Sequence, residues 1–147
     1  MNLAWKQIGR SAVVAALAFL VVEWILEGIL YLVFGISDNR LWAAHFDQYG
    51  LGFWRYLGLI ISILANFFFI MLLYSIARPF FNSHGKAILG ISGVVLAIQF
   101  LAFANLMMQG LFPFSIWIWS LITNIVELPV AIYAGVWYLT RDEQVPE

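Results

Sequence analysis

The chain has 147 residues, 64% of them hydrophobic and 10% charged, a formal net charge of -1 and no cysteine. Soluble domains run at roughly 45–50% apolar and about 25% charged residues, so this composition belongs to a membrane protein. It also excludes disulfides, thiolate-bound zinc, iron–sulfur clusters and a cysteine nucleophile, and the lack of a Lys/Arg-rich run excludes a nucleic-acid binder.

Lys6 and Arg10 precede the first apolar stretch, residues 11–34. Signal-peptide cores are about 7–15 residues long, and this stretch is longer and shows no convincing small-x-small cleavage site, so it is expected to stay as a membrane helix. The next segment contains Ser37, Asp38 and Asn39, then Leu41, Trp42, His45, Phe46 and Tyr49. This pattern predicts either a short interfacial helix or an aromatic belt, with Trp54 beside it. A second uncharged run, residues 56–77, ends at Arg78-Pro79, where charge and proline stop a helix. Residues 87–126 carry no charge and are too long for one crossing, because about 20 residues span the hydrocarbon core. Gln109-Gly110-Leu111-Phe112-Pro113 breaks the run, giving a third span over 87–108 and a fourth over 115–139. The expected fold is an all-α, four-helix transmembrane bundle forming a single domain over 1–147.

Lys6, Arg10, Arg78, Lys86 and Arg141 fall on one side of this topology, and Arg40 and Arg55 on the other. By the positive-inside rule both termini and the second loop face the cytoplasm.

Three acidic residues, Glu23, Glu27 and Glu127, lie inside spans. Together with Asn66 on the second span, Gln99 on the third and Asn124 on the fourth, they form an expected polar layer near mid-bilayer, to which every helix contributes. Glu23 and Glu27 are four apart and share a helix face, as do Asn124 and Glu127, three apart. Gly58, Ser62 and Asn66 line one stripe of the second span, and Glu127, Ala131 and Ala134 one of the fourth. Gly93 and Ala97 do the same on the third. Small residues at such spacing permit close helix approach, so the polar groups are expected to face the bundle interior. Pro129 removes one backbone donor and predicts a kink.

The 14 Leu, Ile, Val and Phe residues of the first span each favour insertion by roughly 0.3–0.6 kcal/mol, while a central acidic residue costs about 2.5–3.5 kcal/mol. Its two glutamates nearly cancel the apolar gain, so this helix is expected to need neighbours that satisfy its carboxyls. No Lys, Arg or His lies within the spans. The carboxyls must therefore be neutral acids, cation-bound, or paired with another chain.

The function expected from this layer is that of a structural or accessory membrane subunit, in which Glu, Asn and Gln hold helices together or pair with a partner. The alternative is a small proton- or cation-coupled transporter acting as an oligomer. Partners are then the lipid bilayer and a homo-oligomer or larger membrane complex, with no nucleic acid. No catalytic dyad, metal cluster or cofactor site is expected: His45 and His84 fall in opposite loops, and Ser83 beside His84 reads as part of a turn.

Glu27-Gly28-Ile29-Leu30-Tyr31, Trp54-Arg55, and Trp119 through Glu127 to Tyr133-Ala134-Gly135 make a pattern that resembles one found in uncharacterised four-helix bacterial membrane proteins. The resemblance implies a bacterial cytoplasmic membrane location and no activity. In size and in the glutamate of its first span the chain is also similar in architecture to the small multidrug exporters, whose sequence motifs it lacks.

Overall fold

The structure is a computed structural model, which describes residues 5–35, 37, 40, 43–44, 52–111 and 113–141. Four long helices follow one another: α1 (Trp5–Phe34), α2 (Gly52–Ala77), α3 (His84–Met108) and α4 (Phe114–Thr140), with a 3-10 turn at Arg78–Phe80 after α2. All four are long and apolar enough to cross a membrane. Of the expected interfacial helix, Arg40, Ala43 and Ala44 are helical. Leu41, Trp42, His45, Phe46 and Tyr49 lie outside the described residues.

The helix ends follow local chemistry. Gly110 adopts φ 71°, a backbone open to glycine. This lets Gly110 N–H reach the Met107 carbonyl at 2.9 Å and Leu111 N–H the Leu106 carbonyl at 3.0 Å, closing α3 with a Schellman motif. Pro113 then caps α4. Pro79 sits in the turn that ends α2, and the Ser83 hydroxyl opens α3 by accepting the Lys86 N–H at 3.3 Å. That turn is clamped from both sides: the Arg78 Nε–H donates to His84 Nδ1 at 3.3 Å, and the Tyr74 hydroxyl meets the same nitrogen at 2.5 Å.

The helices run up and down, with the start of α1, the end of α4 and the α2–α3 turn at one end, here called the termini end. α1 and α4 form the central pair; α2 packs chiefly on α1 and α3 on α4. The pair is in close contact at Gly135, where an added Cβ would lie 2.9 Å from Ala15 Cβ and 3.0 Å from the Ser11 carbonyl oxygen. Ser11, Ala12, Ala15 and Ala16 on α1 and Ala131 and Gly135 on α4 are all buried there, so small side chains bring two backbones together.

The core lies in the half toward the termini end. Ile8, Ala12 and Ala15 of α1 meet Phe67, Ile70, Met71 and Tyr74 of α2, Ala87, Ile88 and Ile91 of α3, and Ala131, Ile132 and Val136 of α4. In the other half α1, α2 and α3 expose most of their side chains. Along α2, every side chain described between Phe53 and Asn66 is exposed except the half-buried Ile63.

Two expectations are corrected here. Gly58, Ser62 and Asn66 face outward, and so do Gly93 and Ala97; these small residues mark exposed faces of α2 and α3, because the close approach is made by α1 and α4 instead. α4 is one helix through Pro129, whose missing donor removes one backbone hydrogen bond. Finally, α1 begins at Trp5, six residues before the expected span, which moves its midpoint to between residues 19 and 20 and leaves Glu23 about one turn beyond it.

Candidate functional site: the polar interior

α4 supplies most of the interior polarity. Ile116, Ser120, Thr123, Glu127, Ala131 and Gly135 are buried at steps of three or four, which puts them on one face. Glu127 is 2% exposed and stands at the midpoint of the helix. One turn and two turns away, Thr123 and Ser120 share its burial. The Ser120 carbonyl accepts both the Thr123 hydroxyl at 3.3 Å and the Asn124 carboxamide N–H at 2.6 Å. Asn124 thus donates to its own helix.

The opposite wall comes from α1. Gly135 packs against Ser11 and Ala15, and the Phe34 and Trp119 rings meet with centroids 6.2 Å apart. Interpolating between these contacts at 1.5 Å per residue sets the half-buried Glu23 level with Glu127. α3 adds Gln99 and Ser92. The Phe100 and Trp117 rings, with centroids 5.3 Å apart, join α3 to α4 next to Gln99. There the Gln99 Oε1 acceptor and the Trp117 Nε1 donor are both sealed from solvent without a hydrogen-bond partner, as is Ser92 Oγ further down α3.

The expected layer therefore divides. Glu127, Glu23 and Gln99 point into the bundle or its seams. Asn66 is exposed on α2 and Asn124 bonds within α4. Glu27 belongs elsewhere: it accepts a hydrogen bond from the Ser37 hydroxyl beyond the end of α1 and lines an outward recess with Arg40. Ser11, Ser92, Ser120, Thr123 and Trp117 were not singled out from the sequence. Ser120 and Thr123 were recoverable in principle, since they extend the face of Glu127 by the spacing of a buried helix. Ser92 and Trp117 had no such signal.

The charges separate cleanly along the bundle. Lys6, Arg10, Arg78, Lys86 and Arg141 all stand at the termini end, and no Lys, Arg or His occurs between residues 87 and 140. Among the described residues, no group of three or more His, Asp or Glu is placed to hold a metal ion. A buried carboxyl among hydroxyls and amides can donate one hydrogen bond as the neutral acid and accept others, which is chemistry suited to cross-linking helices or to passing a proton.

No protein-family profile, curated protein or solved structure was found to match this chain.

Proposed function

We propose that this protein is a structural or accessory subunit of the membrane, held in one packing by neutral polar groups centred on Glu127. The observation that carries the reading is the near-complete burial of Glu127 at the midpoint of the central helix, on a helix with no basic residue between its start and Thr140. Burying a charged carboxylate among apolar side chains is costly, and the neutral acid avoids that cost. Hydrogen bonds of this kind contribute about 0.6–2 kcal/mol each between membrane helices. Asn66 supports an associating role: its carboxamide is exposed near the middle of α2, and hydrocarbon offers no hydrogen bond, so a partner helix, from a second copy or a larger complex, would satisfy it.

The test is flux. Purified protein in liposomes should carry no pH- or ion-coupled current; a current that disappears in Glu127→Gln while the fold persists would replace this reading with that of an oligomeric proton- or cation-coupled transporter.

The proposed setting is a bacterial cytoplasmic membrane with both termini inside, supported by five basic residues at the termini end against two toward the other. Single cysteines at Ala44 and Ser83 should then react with an impermeant thiol reagent from opposite sides, Ala44→Cys from outside. Labelling of both from one side would overturn the four-span topology.

A further inference from the structure

The recess at the end of α1 away from the termini has a construction of its own. Trp24, Glu27, Gly28 and Tyr31 line it together with Ser37 and Arg40, around a volume of about 410 Å³. The first four are spaced i, i+3, i+4 and i+7, one face of a helix. That face looks away from the bundle, with Trp24 77% and Tyr31 50% exposed. Gly28 makes the floor, and an added Cβ there would meet nothing within 4 Å. Gly35, at φ 66°, ends α1 with its N–H on the Tyr31 carbonyl at 3.0 Å and turns the chain back over this face. The turn brings the Ser37 hydroxyl onto Glu27 Oε1, while the Arg40 N–H donates to the same hydroxyl oxygen at 3.2 Å. The Arg40 guanidinium lies 5.4 Å from the centre of the Tyr31 ring.

We infer that this recess binds the zwitterionic headgroup of an aminophospholipid, with the ammonium on Glu27 and the phosphodiester on Arg40. Among the described lining residues one acid and one base match a ligand carrying both charges, and an anionic headgroup would face Glu27 as a like charge. Arginine presents a planar fork suited to phosphate oxygens. A primary ammonium has three N–H donors for the Glu27 carboxylate and sits well beside the Trp24 and Tyr31 rings; a choline headgroup has no N–H to give. The carbonyl end of α1 also favours a cation nearby, and α1 has no basic residue in its own last turn. The lipid, rather than a soluble amine phosphate, is the source, because exposed Val21, Ile25 and Leu32 flank the recess along α1 and offer a track for acyl chains. Tyr31, within one turn of the end of α1, stands where tyrosine is enriched at headgroup depth.

The experiment uses the delipidated full chain in detergent, titrated separately with dihexanoyl phosphatidylethanolamine, phosphatidylcholine and phosphatidylglycerol, with bound lipid counted by native mass spectrometry. Phosphatidylethanolamine should bind one per chain and about tenfold more tightly than the other two, the size of one hydrogen bond to a charged group. Glu27→Gln should erase its advantage over phosphatidylcholine. Arg40→Gln should weaken both by about tenfold. Gly28→Leu, which fills the floor on an exposed face, should abolish binding and leave the melting temperature unchanged. Equal binding of the three lipids, or a preference that survives all three substitutions, would overturn the assignment. Neither result touches the role given to Glu127, which this titration does not probe.

Discussion

Gly135→Leu is expected to prevent the bundle from assembling, and Gly135→Ala to destabilise it by about 1–3 kcal/mol, the usual cost of overpacking a fitted interface. A Cβ at this position would lie 2.7 Å from Met71 Sδ, 2.9 Å from Ala15 Cβ and 3.0 Å from the Ser11 carbonyl oxygen. The thioether can swing away, but the other two atoms are fixed to the backbone of α1. Relief requires moving α1 from α4, and that separation loosens the buried cluster of Ala12, Ala15, Ala16, Ala131 and Ile132. Gly93→Ala is the matched control, because nothing lies within 4 Å of an added Cβ there; it should melt like the native protein. The measurement is thermal unfolding in mild detergent with the elution profile recorded alongside. A Gly135→Ala protein that melts with the Gly93→Ala control would show that α1 and α4 do not meet in this register.

Glu127 gives the second large effect. Glu127→Gln keeps the shape, a donor and an acceptor, so it should stay within about 1 kcal/mol of the native stability, the scale of one exchanged interhelical hydrogen bond. Glu127→Ala removes those groups and opens a cavity at the centre of the bundle, and should cost about 2–4 kcal/mol. Glu127→Lys puts a cation where the residue is 2% exposed and should abolish folding, because a buried unpaired charge costs several kcal/mol. The ordering Gln, Ala, Lys in thermal stability is the signature of a neutral acid at work. Loss with Gln as severe as with Ala would mean that the charge itself is needed, and would point to a cation or a partner's basic residue against Glu127.

The same two residues separate what was legible from what was not. Glu127 stands out in the sequence because it is the one charged residue between Lys86 and Arg141, and a charge within such a run is costly and must be accommodated. Gly135 does not, because glycine is frequent in membrane helices and the sequence holds 11 of them. Gly58 and Gly93 offered an equally good pattern for close approach, yet both are exposed. Glu27 and Glu23 illustrate the same point among carboxyls. Four residues apart, they looked like one pair on one face; the turn at Gly35 draws Glu27 into contact with Ser37, and a loop contact of that kind leaves no periodic trace.

The sequence by itself determined four helices and their order, because crossing length, the Arg78-Pro79 stop and the Gly110–Pro113 break are local properties that each segment carries alone. Only the tertiary structure decided which face of each helix turns inward, that α1 and α4 form the central pair, and that the core gathers toward the termini end. In a water-soluble helix an apolar stripe announces the buried face; in these helices apolar residues cover all sides, so facing is set by where small side chains let backbones touch and where polar groups find partners, and both depend on the neighbouring helix.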